Sequence, residues 1–100
     1  MTKDEKLHLD RVQQLGCIVC WMNHIYTPAE IHHIIDGNKR KGHKYVLPLC
    51  VPHHRGGGDG DGDTVVSRHP FKRRFEDAYG YEDELLNLVD HKLQMRYADY

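Results

Sequence analysis

The sequence predicts an α+β domain centred on a strand–loop–strand–helix unit with flanking helices, occupying residues 1–100 as one domain. Three observations predict it. Two pairs of Cys/His residues at ligand spacing, Cys17-x-x-Cys20 and Cys50-x-x-His53, bracket two short apolar runs. Adjacent histidines stand at both ends of the stretch between 29 and 55, His32-His33 and His53-His54. Segments with helical periodicity lie on either side, so the core of the domain spans 15–80 and a C-terminal helix spans 82–97.

Taken in order, residues 4–15 read as an amphipathic helix, with Leu7, Val12 and Leu15 on one face and Leu9 at its edge. Gly16 ends it and leads into a turn from Cys17 to Cys20, and Pro28 punctuates the loop 21–28. Residues 29–35 (AEIHHII) predict a short strand, Asp36-Gly37 a turn, and 38–44 a polar loop. Residues 45–49 (YVLPL) predict a second strand, which Pro48 confines to an edge or an irregular position. Pro52 suits the first turn of a helix carrying His53, His54 and Arg55. The run GGGDGDGD over 56–63 predicts a solvated, flexible loop. A helix is expected over 70–79, stopped by Gly80, and another over 82–97 with an acidic first turn and apolar positions 85, 86, 89, 93 and 97.

Composition narrows the function classes. One hundred residues bury only a modest core, so a metal or partner is a natural source of added stability. No apolar run is long enough to span a membrane, and the first residues, MTKDEKLHLDR, have no apolar segment of the signal-peptide kind, so a reducing cytoplasm is the expected setting. Three cysteines do not make a disulfide framework, and nine histidines in so short a chain point to metal ligation.

The two knuckles account for every cysteine. Two residues separated by two others can both reach one ion from a tight turn, and Cys17, Cys20, Cys50 and His53 together supply the tetrahedral set that structural Zn2+ takes. His32, His33, His54 and His69 remain beyond that set. Neighbours on a helix point about 100° apart, so His53 can serve the zinc while His54 faces elsewhere. On a regular strand His32 and His33 would face opposite sides, which leaves open which is ligand and which is base. Imidazoles, a divalent ion and cationic side chains are the groups that phosphodiester cleavage asks for: a proton acceptor for water, charge stabilisation, and a grip on phosphates. Asp59, Asp61 and Asp63 invite a calcium reading, but Thr64 and Pro70 stand where an EF-hand loop needs Gly and Glu.

Charge is distributed to match. The net charge is -1, yet 39–74 carries +6 and 75–100 carries -5. The basic side chains of the middle segment, Lys39, Arg40, Lys41, Lys44, Arg55, Arg68, Lys72, Arg73 and Arg74, form the candidate DNA-binding set.

The stretches LGCIVC (15–20), PAEIHHI (28–34), LPLCVPHHR (47–55), His69, FEDAYG (75–80) and ELL (84–86) resemble the HNH, or ββα-metal, endonucleases, and are particularly similar to the recombination-enhancement (Ref) nucleases of bacteriophages. The likeness covers about residues 11–90. It implies a zinc-stapled ββα-metal unit in which His32 and His54 bind the catalytic metal, His69 is a further ligand of it, and His33 is the general base. It implies Mg2+ or Mn2+, or Zn2+, as the catalytic ion, and products with 5′-phosphate and 3′-hydroxyl ends. It also implies DNA as substrate, a RecA filament or other recombination protein as partner, and the cytoplasm of a bacterial host as the setting. Where HNH proteins often carry Asn ahead of the second knuckle, this chain has His43 and Tyr45. The rival readings are a zinc-stapled nucleic-acid-binding module without catalysis and a phage accessory factor. A pure binding module has no need of His32, His33, His54 and His69 together.

Overall fold

The computed structural model describes residues 1–36, 39–40, 42–62 and 64–99; the side chains of 36, 39 and 40 lie outside that description, as do Lys41 and Asp63 altogether. An antiparallel hairpin organises the chain. Strand β1 (Glu30–His33) pairs with a later strand over Val46–Leu49, in the register Glu30 with Leu49, Ile31 with Pro48, His32 with Leu47 and His33 with Val46. Between them a smaller ladder joins β2 (Ile35–Asp36) to β3 (Lys39–Arg40), so the later strand is β4. The expected strand 29–35 is thus two pieces that break at Ile34, and part of the expected polar loop is a strand. Pro48 costs little here, since each strand of a two-stranded sheet has an edge with no ladder to complete.

β4 is buried along its whole length, with Val46, Leu47 and Leu49 at 0% exposure. Helix α1 (Lys3–Gln14) contributes Val12 and the following Leu15; α2 (Ile18–Met22) contributes Ile18 and Val19. Phe75 comes from α3 (Lys72–Tyr79), and Leu85, Val89 and Leu93 from α4 (Glu82–Arg96). Each such side chain, fully buried, contributes about 1.5–3 kcal/mol of transfer free energy. The α1 face is narrower than the periodicity suggested, since Leu7 remains 47% exposed.

Local chemistry sets the helix ends. Thr2 and Glu5 form a reciprocal capping box at the start of α1. At its other end Lys92 Nζ donates to Leu15 O and Arg96 to Gln14 O, so basic groups of α4 meet the carbonyl end of α1. Three carboxylates, Glu82, Asp83 and Glu84, occupy the first turn of α4, and Tyr81 N donates to Glu84. The expected helix from 70 begins at Lys72.

Two segments near the knuckles differ from expectation. The stretch after Cys17 is not a bare turn but the five-residue helix α2, entered through Gly16 at φ 79°. A side chain there would lie 2.7 Å from the Tyr26 ring, so both the left-handed backbone and the close approach require glycine. The segment expected to be the helix of the central unit is a single π-helical turn, Pro52–Gly56. Gly57 follows it, packed so closely against Pro52 and Val65 that a Cβ would lie 2.5 Å from Val65 O and 2.6 Å from Pro52 O. The Gly-rich stretch beyond it is anchored: Gly58 bridges to Val66, and Arg74 pairs with Asp59 and Asp61 at 3.3 and 3.2 Å.

Candidate metal centres

Alternation along β1 puts Glu30 and His32 on one face and Ile31 and His33 on the other. The π-turn does the complementary sorting. It starts just after Cys50 and turns His53 toward α2, while His54 faces β1. Its carbonyls then clamp the returning chain, because Arg68 N donates to His53 O and His69 N to His54 O. Ser67, fully buried, fastens the same crossing by donating from Oγ to Pro52 O and accepting from Gly57 N.

The first cluster comprises Cys17, Cys20, Cys50 and His53, and it could hold a metal ion. Cys17, at the mouth of α2, and Cys20, within it, approach from one side, while Cys50 and His53 approach from the end of β4 and the π-turn. His53 Nδ1 lies 3.6 Å from Cys17 Sγ, 3.6 Å from Cys20 Sγ and 3.0 Å from Cys50 Sγ, and Cys20 and Cys50 sulfurs are 3.9 Å apart. Ligands at about 2.3 Å (sulfur) and 2.0–2.1 Å (nitrogen) from one tetrahedral zinc are spaced much like this, so the donors fit that ion. Burial pushes the Cys17 thiol up and the Cys50 thiol up to about 12, and it pushes the His53 imidazole down. Thiols so reluctant to ionise alone give up their protons when a cation arrives.

The second cluster is a triangle of imidazoles, His32, His54 and His69. Ring centroids are 5.1 Å apart for His32–His54, 5.1 Å for His32–His69 and 5.2 Å for His54–His69. One ligand atom from each lies within 4.8 Å of the others, so this set could also hold an ion. His32 is 1% exposed. Burial lowers the pKa values of His54 and His69, which favours the neutral, metal-binding form of each.

Behind the triangle stand two carboxylates that sequence reasoning missed. Glu82 Oε2 lies 2.8 Å from His32 Nε2, and its other oxygen accepts from Arg68 Nε at 2.8 Å. Glu30 Oε1 lies 2.7 Å from His54 Nδ1 and also accepts from Arg55 Nε at 2.8 Å. Burial would raise the Glu82 pKa, but the hydrogen bonds from His32 and Arg68 outweigh it and hold the carboxyl at about 2. Since the ordinary value is 4.5, this group's stabilisation is complete above about pH 4.5 and is lost as pH falls toward 2. The contribution at neutral pH is on the order of 3 kcal/mol. Thermal melts of the parent and Glu82→Gln should therefore differ widely at pH 7 and draw together as pH falls from about 4 toward 2; a gap independent of pH would refute the linkage.

The family model for recombination-enhancement, RecA-dependent nucleases matches residues 1–94. The chain belongs to this family. A nuclease role in recombination follows, with DNA as the substrate class and RecA dependence in the family's own description. No curated protein matches the chain. Among the described residues no helix is long and apolar enough to cross a membrane.

The other site residues expected from the sequence fall in several places. His33 is apart from the triangle, half-buried, with Nε2 3.3 Å from His43 Nδ1. Lys44, Lys72, Arg73 and Arg74 are exposed. Arg55 is exposed and paired with Glu30. Arg68, expected among the phosphate-facing cations, is only 7% exposed, because the clamp on residues 68–69 turns it inward to Glu82. Lys39 and Arg40 belong to β3, with side chains outside the described set, as is all of Lys41.

Proposed function

We propose that the chain is a metal-dependent DNA endonuclease of the HNH, or ββα-metal, kind, acting in recombination on RecA-coated DNA. In this reading β1, β4 and the π-turn are the ββα-metal unit, Cys17, Cys20, Cys50 and His53 hold a structural Zn2+, and His32, His54 and His69 hold the catalytic Mg2+, Mn2+ or Zn2+. The observation that carries it is the convergence of three imidazoles from β1, the π-turn and the loop before α3, within 4.8 Å of one another, directly beside a complete zinc set. A structural zinc alone leaves that second convergence without a purpose.

When bound, the ion at the triangle supplies positive charge to the phosphorane oxygens and to the leaving oxygen. The role of proton acceptor for the attacking water is assigned to His33, the neighbour of His32 on β1, whose Nε2 lies 3.3 Å from His43 Nδ1. Lys72, Arg73 and Arg74 on α3, with Lys44 and Arg55, grip the backbone phosphates, whereas Arg68 supports Glu82 from within.

The test is plasmid cleavage with Mg2+, Mn2+ or EDTA, on bare and RecA-coated DNA. The expected result is metal-dependent strand breaks that EDTA abolishes. Cleavage indifferent to EDTA, or none on any substrate, would refute the reading. The DNA face has its own test. Reversing the charges of Lys72, Arg73 and Arg74 should weaken DNA affinity and flatten its dependence on salt, because each lost phosphate contact releases fewer counterions. A triple variant that binds like the parent across several salt concentrations would place the DNA elsewhere.

A further inference from the structure

The two carboxylates behind the triangle touch different edges of their histidines. Glu82 meets His32 at Nε2, whereas Glu30 meets His54 at Nδ1. A carboxylate accepts a hydrogen bond and cannot donate one when ionised, so each of these nitrogens carries the proton. The proton's position decides which nitrogen keeps a lone pair for a metal. His32 is left with Nδ1 and His54 with Nε2.

We infer that Glu30 and Glu82 are positioning residues that fix opposite tautomers in the triangle, so that His32 binds its ion through Nδ1 and His54 through Nε2. This rests on the reading of His32, His54 and His69 as a metal site. The arrangement matches where the residues sit. His32 comes from strand β1 and His54 from the π-turn, so each carboxylate acts on a ring held by a separate element.

The two carboxylates do unequal work. A neutral histidine in water prefers its proton on Nε2, so Glu82 reinforces what His32 would do alone. Glu30 holds His54 in the less favoured tautomer, and without it the proton moves to the nitrogen that should bind the ion. Each carboxylate is itself anchored by an arginine. The Glu82–Arg68 pair is buried, with side chains 7% and 8% exposed. The Glu30–Arg55 pair is at the surface, with Arg55 61% exposed. Glu30 can therefore be changed with little risk to folding, which makes it the deciding position.

The experiment uses the full chain with 15N-labelled histidine, loaded with 113Cd2+. Coupling between cadmium and ring nitrogens should appear at Nδ1 of His32 and Nε2 of His54. Titration of the triangle with Mn2+ should then show affinity falling about 10–100-fold in Glu30→Ala, the usual cost of losing such a support, with less loss in Glu30→Gln, whose amide oxygen still accepts the Nδ1 proton. Arg55→Met, which removes the other partner of Glu30, should stay within about 2-fold of the parent, and cadmium at the cysteine cluster should be unchanged in all three. If Glu30 merely anchors Arg55, Arg55→Met will match Glu30→Ala, and the inference is overturned. It is equally overturned by cadmium coupling at Nδ1 of His54, or by Glu30→Ala binding Mn2+ like the parent. A parent that takes cadmium only at the cysteine cluster would overturn the metal-site reading itself, and this inference with it.

Discussion

Cys50→Ser should leave a chain that no longer holds its fold at ordinary temperature and no longer retains zinc. Structural zinc contributes about 10–16 kcal/mol of apparent binding free energy in small zinc-folded peptides at neutral pH. The whole stability of a domain this size is typically about 5–15 kcal/mol, so the loss of one ligand in four can remove most of it. The location magnifies the effect. Cys50 is 3% exposed at the end of β4, where the hairpin runs into the π-turn, and Cys17 is 1% exposed at the mouth of α2. An ion held by these residues would tie α2 to the hairpin and set the direction of His53, hence also that of His54. Cys17→Ser should behave alike. Circular dichroism melts with metal analysis on the same samples check both. Zinc-free protein that melts where the parent does would show that the cluster is no staple.

The second large effect is catalytic. His33→Ala should lower cleavage by about 10²- to 10⁴-fold, the usual size of a general-base contribution. Its metal content, melting temperature and DNA affinity should stay near those of the parent, because His33 lies outside both clusters. The regular register of β1 motivates this separation: His32 and His33 take opposite faces, one joining the triangle and the other meeting His43. Full activity in His33→Ala would transfer the role of base to another group. A loss of the second ion in that variant would mean that His33 is a ligand.

Much of the site was legible because its chemistry is concentrated in rare residue types at short spacing. Cys17 with Cys20 and Cys50 with His53 announce themselves as pairs, and three of the four histidines left over, His32, His54 and His69, come together in the structure. The division of His53 from His54 also followed from their adjacency on a turning backbone. The partners of these residues were not legible. Glu82 is fifty positions from His32, and Glu30 twenty-four from His54, and neither carboxylate stands out from its neighbours in sequence. Arg68 shows why charge alone misleads: it reads as one of a run of surface cations until the clamp formed by His53 O and His54 O turns it inward. Fold elements followed the same rule. The long amphipathic α4 was clear from its period, whereas the π-turn at 52–56 and the break at Ile34 depend on tertiary hydrogen bonds, such as Ile34 N to Tyr45 O, that no local pattern encodes.

The most direct measurement is a parallel count of bound metal and DNA cleavage in the parent and His54→Ala. On the two-metal reading the parent holds zinc at the cysteine cluster, takes a further divalent ion, and cleaves DNA. His54→Ala should keep the zinc and the fold, bind the further ion much more weakly, and lose cleavage, with partial recovery in excess Mn2+. His54→Ala that binds the second ion as tightly as the parent, or cleaves as fast, would contradict it.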